Sequence, residues 1–194
     1  MEPQRLRAII SQARAGREDA YRELLAAFGP RLYGYFYRAT SSVHDAEDLL
    51  GELMLRLVRR LDDYDETGRF EPWVFSIAAN LVRDRIRRWR TRPPEASLDA
   101  DVGDSGSLSE TVAGRDEPVD RGMLHAELSG WLTAALERLD ETSRQMILLR
   151  HFGQMSFKEM AEVFGCPIGT VLAKVHRGLK ALRAVMEEDD EDVK

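Results

Sequence analysis

The stretch that decides the fold is residues 156–186, SFKEMAEVFGCPIGTVLAKVHRGLKALRAVM. Ser156 followed three positions later by Glu159 forms a capping box, which predicts a helix that begins at Phe157. Gly165 is predicted to end this helix, because glycine readily adopts the positive φ of a tight turn. A second helix follows, and its predicted buried face carries Val171, Val175, Leu179, Leu182 and Met186.

The spacing within this stretch is typical of a helix-turn-helix. Ala161 lets the two helices approach, and Val171 fixes the second helix on the first. An ordinary helical hairpin with solvated lysines is the alternative interpretation. A basic outer face favours docking in the major groove of DNA, where cations meet phosphates. That face carries Thr170, Lys174, Arg177 and Lys180.

The first segment, residues 1–92, also has helical periodicity. A helix is predicted from about Asp45 to Leu61, and another begins near Pro72, a residue suited to a first helical turn. No convincing alternation of apolar and polar residues indicates a strand. The sequence therefore predicts an all-α protein in which a small helical bundle precedes the helix-turn-helix domain.

A cluster of arginines lies at the end of the third predicted helix. Tyr64, Phe70 and Trp73 lie just upstream, and Asn80 lies between these aromatics and the arginines. Charge at a helix C-terminus alone does not require so many arginines. Arginines beside stacking rings and an amide suit a strand whose bases are unstacked, so this segment predicts single-stranded DNA binding. The cluster comprises Arg83, Arg85, Arg87, Arg88, Arg90 and Arg92.

Charge and composition divide the chain of 194 residues into four segments. Residues 1–92 carry a net charge of +3 and residues 123–186 a net charge of +2, and we interpret them as the two folded domains. Residues 93–122 carry −6, and their polar composition predicts an extended, flexible acidic linker. Residues 187–194 carry −5 and are predicted to form a disordered acidic tail. The net charge of −6 therefore hides two basic segments that suit nucleic acid.

Several classes of function are disfavoured. One cysteine, Cys166, makes no internal disulfide, and four scattered histidines give no metal-ligand spacing. The sequence has no apolar run long enough to predict a membrane span or a signal sequence, so we expect a cytoplasmic protein. No set of catalytic residues and no phosphate-binding loop occurs, which predicts a protein that is not an enzyme and needs no cofactor.

Both segments together resemble the extracytoplasmic-function (ECF) group of the sigma-70 family of bacterial sigma factors. The run DAEDLL at residues 45–50, followed by Glu52, resembles region 2.2. The third helix resembles regions 2.3 and 2.4, and the helix-turn-helix resembles region 4. The residues that carry the last two resemblances are Phe70, Trp73, Asn80, Asp84 and Arg88, then Ser156, Glu159, Ala161, Gly165, Pro167, Thr170, Val171 and Arg177.

The resemblance implies a role and partners for each part. Region 2.2 would dock on the β′ subunit of core RNA polymerase through Asp45, Asp48, Leu49 and Glu52. The 62–71 loop and the 73–92 helix would recognise and melt the −10 element through Phe70, Trp73, Asn80, Arg83, Arg87 and Arg88. Region 4 would meet the β flap and hold the −35 element through Thr170, Lys174, His176 and Arg177. The linker would thread the RNA path of the polymerase, and an anti-sigma factor is an expected partner.

The sequence departs from the family pattern in the second helix of region 4. Leu172 and Ala173 stand where many members have polar residues near the base edges. Part of the −35 specificity is therefore expected to come from DNA shape. Two alternatives are a stand-alone helix-turn-helix regulator and a sigma mimic that sequesters an anti-sigma factor. The arginine cluster disfavours the first, and the absence of a receiver domain disfavours the second.

Overall fold

The computed structural model describes residues 1–91 and 132–192, with side chains as far as residue 185. Over these ranges the secondary structure is entirely helical, which confirms the all-α prediction for the described residues. A short 3-10 helix at Leu61–Asp63 connects α3 to the loop before α4. The helices are α1 Pro3–Arg14, α2 Glu18–Thr40, α3 Val43–Arg60, α4 Phe70–Thr91, α5 at residues 132–137, α6 Glu141–Phe152, α7 Phe157–Phe164 and α8 Ile168–Asp192.

The first four helices form one bundle, in which α2 packs against α1, α3 and α4. Ser42 caps α3, because its side chain accepts a hydrogen bond of 3.2 Å from the backbone N–H of Asp45. The core of the bundle is rich in rings and leucines, which bury large apolar areas and drive its assembly. Its largest fully buried side chains are Ile10, Leu24, Leu32, Tyr35, Phe36, Leu49, Leu53, Leu61, Phe70, Phe75 and Leu81.

The remaining helices form the helix-turn-helix unit. Both halves of the capping box at Ser156 and Glu159 are present, and Gly165 ends α7 in the left-handed conformation with φ +61°. These two predictions are confirmed. Met160 and Val171 lie fully buried between α7 and α8, as the spacing of the motif requires. The unit therefore presents the first turns of α8 at its surface.

Two predictions differ from the structure in this half of the chain, and two others concern residues or side chains that the structure does not describe. Leu179, predicted to be buried, is 52% exposed, and the side chain of Met186 lies outside the described residues. The helix α8 continues to Asp192, so the backbone of residues 187–192, predicted as a disordered tail, is helical. Glutamate is a good helix former and lets the helix continue. The predicted linker, residues 93–122, lies outside the described residues.

The two helical units contact each other, with α2 and α4 packed on α6 and α7. Gly153 lies at this junction and ends α6 with φ −93°, so it does not adopt the positive φ that is common for a glycine after a helix. Gln154 takes that conformation instead, with φ +48°. A Cβ atom on Gly153 would lie 2.8 Å from the Cβ and Cγ atoms of Phe75. Glycine is therefore required here by the close approach of the two units.

Candidate nucleic-acid interface

The α4 helix presents a basic, exposed surface. Asn80, Arg83, Arg87 and Arg88 are exposed, and the arginines carry the charge that a DNA backbone requires. Arg87 pairs with Asp84 at 3.0 Å in the same helix. The Arg87 side chain is 75% exposed, so the pair contributes little to stability and the guanidinium remains accessible.

An aromatic cluster lies at the start of α4 and in the loop before it. The ring centroids of Tyr64 and Trp73 are 5.1 Å apart, and those of Phe70 and Trp73 are 5.7 Å apart. Phe70 is 1% exposed and therefore supports the cluster from the core. Trp73 is half-buried and reaches the surface. Of the two predicted rings, Trp73 is therefore the one that is accessible in this structure.

Two arginines near this cluster did not stand out in the sequence. The guanidinium of Arg14 in α1 donates to the backbone oxygens of Leu61, at 3.1 Å, and Tyr64. These bonds tie the loop to α1. Arg69 follows Gly68, whose φ is +74°, and its guanidinium is 53% exposed. In the sequence, the glycine at position 68 is the local signal that could have predicted this turn, because glycine readily adopts a positive φ.

The residues predicted to bind core polymerase lie on α3 but do not share one surface. Leu49 is 1% exposed and Asp45 is 4% exposed, so both belong to the fold. Arg85 donates to a carboxylate oxygen of Asp45 from two nitrogens and to Asp48 at 3.1 Å. Asp48 and Glu52 remain accessible, with side chains 50% and 39% exposed. The prediction is therefore corrected for Leu49 and Asp45, which cannot contact a partner in this structure.

The same helix also exposes two apolar side chains that were not among the residues predicted to bind polymerase. Leu55 is 61% exposed and Val58 is 52% exposed. Leu55 lies three residues after Glu52 and therefore on the same face of α3. Adjacent exposed apolar side chains rimmed by charge are typical of a protein-binding surface. We call Asp48, Glu52, Leu55 and Val58 the α3 face.

The first turns of α8 carry the residues predicted to read the −35 element. Thr170, His176 and Arg177 are exposed, whereas Lys174 is partly covered. The Lys174 ammonium donates to the carboxylate of Asp140 at 3.0 Å. Leu172 is 45% exposed beside these polar groups. An exposed leucine can contact the methyl group of thymine, so it does not exclude base recognition.

Asp140 is the N-cap of α6, and its pKa reflects several competing interactions. Burial would raise this pKa, but hydrogen bonds from Ser143 and Lys174 outweigh burial and lower it to about 2. The ionised carboxylate thus holds both the helix terminus and the Lys174 side chain. On DNA, Lys174 would have to exchange this carboxylate for a phosphate.

We expect Asp140→Asn to remove a pH-dependent part of the stability while keeping a side chain that can cap α6. The wild-type pKa of about 2 is below the ordinary value of about 3.9, so ionised Asp140 stabilises the fold above about pH 4. This contribution is lost as the pH falls from about 4 towards 2, and solvent exposure keeps it below about 1 kcal/mol. Urea unfolding at several pH values measures it. Parallel stability curves for the two proteins would contradict the expectation.

The predicted −10 and −35 surfaces approach each other in this structure. Arg83 of α4 lines a cavity of about 210 Å³ together with Thr170 and Lys174 of α8. A larger cleft of about 460 Å³ separates Trp73 and Asn80 from α7. Within the described ranges, no three His, Cys, Asp or Glu side chains are grouped to hold a metal ion, and no helix is long and apolar enough to cross a membrane.

Comparison with known proteins identifies this arrangement. Residues 24–92 match the family model of Sigma-70 region 2, and residues 129–182 match that of Sigma-70, region 4. The fold and its basic surfaces therefore define a sigma factor. The chain is 32% identical to the ECF RNA polymerase sigma factor SigW of Bacillus subtilis over 182 residues, 92% of this chain and 95% of that protein.

The chain belongs to the ECF group of the sigma-70 family. It is also 25% identical to the ECF RNA polymerase sigma-E factor of Escherichia coli, over 90% of each chain. It acts as a sigma factor that binds RNA polymerase and directs transcription initiation, and it is not an enzyme. These predictions are confirmed, and the family disfavours a stand-alone regulator.

Two solved structures share the fold. CnrH, in complex with the cytosolic domain of CnrY, matches with a TM-score of 0.63 and 23% identity over 94% of this chain and 97% of that one. The sigma factor RpoE of Bartonella quintana, in complex with the anti-sigma factor NepR, matches with a TM-score of 0.61 and 20% identity over 86% of this chain and 96% of that one.

Proposed function

We propose that the chain divides promoter recognition between α4 and α8. The surface of α4, with the loop before it, would recognise and melt the −10 element, and α8 would bind the −35 element as duplex. The α3 face would dock on the β′ subunit of core polymerase. The observation that carries the proposal is the row of exposed arginines on α4 beside the half-buried Trp73.

The chemistry of α4 suits a strand that leaves the duplex. Exposed arginines attract phosphates, and an aromatic ring gives an unstacked base a surface on which to stack. Asn80 is exposed, lines the cleft of about 460 Å³ together with Trp73, and has an amide that can both donate a hydrogen bond to a base edge and accept one from it. These groups can stabilise the melted strand and thereby favour opening.

The chemistry of α8 suits duplex DNA. Thr170, His176 and Arg177 are exposed on a helix whose N-terminus is open, as major-groove recognition requires. Lys174 would contact a phosphate after release from Asp140, 3.0 Å away. The helix-turn-helix fixes these groups on one rigid element, so they move together onto the groove.

A second surface of region 4 suits protein partners. An apolar groove of about 510 Å³ lies on the side formed by α5, α6 and α8, and it is lined by Leu132, Leu136, Ile147, Val175, Leu179 and Leu182 among others. We propose that the β flap of polymerase binds this groove. An anti-sigma factor is the second proposed partner, because the two related solved structures are complexes with CnrY and NepR.

The test separates docking from melting, and it uses the full chain assembled with core polymerase on a promoter of an ECF sigma factor. We expect Leu55→Asp to weaken polymerase binding more than tenfold, because it places a charge in an apolar contact (about 1.4 kcal/mol per tenfold). Asn80→Ala should leave binding unchanged and lower promoter opening. Co-purification measures the first, and permanganate reactivity of unpaired thymines the second.

Val43→Asp provides the control for docking. Val43 is 49% exposed on the same helix but lies about 18 Å from Leu55 along the axis. It should keep polymerase binding, since the added charge lies in the first turn of α3, where acidic residues are favourable. Equal losses for Leu55→Asp and Val43→Asp would argue against the α3 face. Loss of polymerase binding by Asn80→Ala would place Asn80 in the fold rather than at the DNA.

A further inference from the structure

An ion pair crosses from the region 2 unit to the region 4 unit at the mouth of the larger cleft. Arg69, in the loop before α4, donates from two nitrogens to the two carboxylate oxygens of Glu159, at 3.0 and 2.5 Å. Such a two-point contact is the geometry with which arginine also binds a phosphate. The Glu159 side chain is 24% exposed, so it is partly withdrawn from water.

Glu159 is held in place by its own helix. As the third residue of α7, it accepts hydrogen bonds of 2.7 Å from the backbone N–H and from the hydroxyl of Ser156. Burial would raise the pKa of Glu159, but the bonds from Arg69 and Ser156 outweigh burial and lower that pKa. The carboxylate is therefore ionised and fixed in position, like the phosphate oxygens of a nucleic acid backbone.

Other region 4 groups cover the same side of α4. The guanidinium of Arg83 donates to the backbone oxygen of Val163 at 2.7 Å and lies 5.4 Å from the ring centre of Phe164. Farther along α4, Arg90 pairs with Glu141 at 2.7 Å. Three basic side chains on or next to the proposed melting surface thus bind region 4 acceptors in this closed arrangement.

We propose that Glu159 stands in for a DNA phosphate on Arg69, so that the closed chain masks its own melting surface. Once the two units separate, Arg69 contacts the backbone of the melted strand. The ligand of Arg69 is thus single-stranded DNA, and α7 competes with it. This inference rests on the proposed function, since it assigns the cleft beside Trp73 and Asn80 to DNA.

The free chain provides the first test, with fluorescence anisotropy of a short labelled single strand as the readout. Glu159→Gln removes the charge but keeps the capping box, because glutamine also serves at the third position. We expect it to tighten strand binding about two- to fivefold, and fivefold corresponds to about 1 kcal/mol, the upper range of an exposed ion pair. The gain should disappear in an Arg69→Ala background.

Glu162→Gln is the matched control. Glu162 lies on the same helix, lines the same cleft and loses the same charge. A general charge effect would tighten binding equally in both variants and would overturn the proposal. A gain from Glu159→Gln that persists without the Arg69 guanidinium would also overturn it.

The holoenzyme provides the second test and separates this proposal from the proposed function. Arg69→Ala should lower promoter opening without loss of polymerase binding, and it should reduce the salt dependence of strand binding by about 0.7 in the log–log slope. Normal opening by Arg69→Ala would overturn the proposal while the proposed function stands. If neither the wild-type holoenzyme nor its variants melt the promoter, the proposed function itself fails. If the free chain binds the strand too weakly to measure, promoter opening by the Arg69→Ala holoenzyme decides the proposal.

Discussion

Replacing Arg85 by methionine is expected to lower the free energy of unfolding by about 3–5 kcal/mol. The reason is Asp45, whose side chain is 5% exposed and whose carboxylate accepts two hydrogen bonds from the Arg85 guanidinium. Methionine keeps much of the length of the arginine stem but provides no donor. The Asp45 carboxylate would then be a buried charge without a partner, which is strongly destabilising. Urea unfolding followed by circular dichroism measures the loss.

Arg87→Met is the matched control, since Arg87 lies two residues farther along α4. Its side chain is 75% exposed and pairs with Asp84 at 3.0 Å, so its loss should cost less than about 0.5 kcal/mol. Asp45→Asn combined with Arg85→Met should recover part of the stability, because no charge is then left buried. If the two single arginine variants were equally stable, water would reach Asp45 and the pair would not secure α3 to α4.

The second large effect is expected from Gly153→Ala. The added Cβ atom would lie 2.8 Å from two atoms of Phe75, which is 0% exposed and cannot move away, and 3.0 Å from the backbone oxygen of Leu149. The φ of −93° is ordinary for alanine, so the conflict is steric. We expect a loss of about 1–3 kcal/mol in stability or a separation of the two units, which relieves the overlap with Phe75.

Small-angle X-ray scattering and thermal unfolding together measure this effect. Separation should raise the radius of gyration. It should also tighten single-strand binding, as is expected for Glu159→Gln, but without any change in charge. Gly51→Ala is the control, because its Cβ would have no atom within 4 Å. That variant should keep the radius of gyration and gain slightly in stability, since alanine is the better helix former. An unchanged radius and stability in Gly153→Ala would show that the units are already apart in solution.

Local rules predicted the helix-turn-helix well. The capping box at Ser156 and the positive φ of Gly165 depend on a few consecutive residues, and both are present. Gly153 shows where such rules fail. A glycine at the end of a helix usually serves a positive φ, whereas the small size of Gly153 serves the contact with Phe75, far away in sequence. Only tertiary structure contains that information.

The α3 face shows a second limit of prediction from sequence. The helix is apolar on its buried side, at Leu49 and Leu53, and also on its exposed side, at Leu55 and Val58. Periodicity alone cannot choose between two apolar sides. The contacts between the two units were also beyond prediction, since Arg69 and Glu159 lie 90 residues apart and each has an ordinary local environment.

Arg14 links α1 to the loop before α4, outside the segment that matches the region 2 family model. The family match begins at residue 24, after the end of α1 at residue 14. Yet the Arg14 guanidinium holds the backbone oxygens of Leu61 and Tyr64, at the start of the loop that leads to Trp73. A region 2 fragment trimmed to residues 24–92 would retain every region 2 residue proposed to touch DNA, but it would lose the two Arg14 hydrogen bonds that hold the loop in place. We therefore expect a stable region 2 to need α1 in addition to the segment that matches the family model.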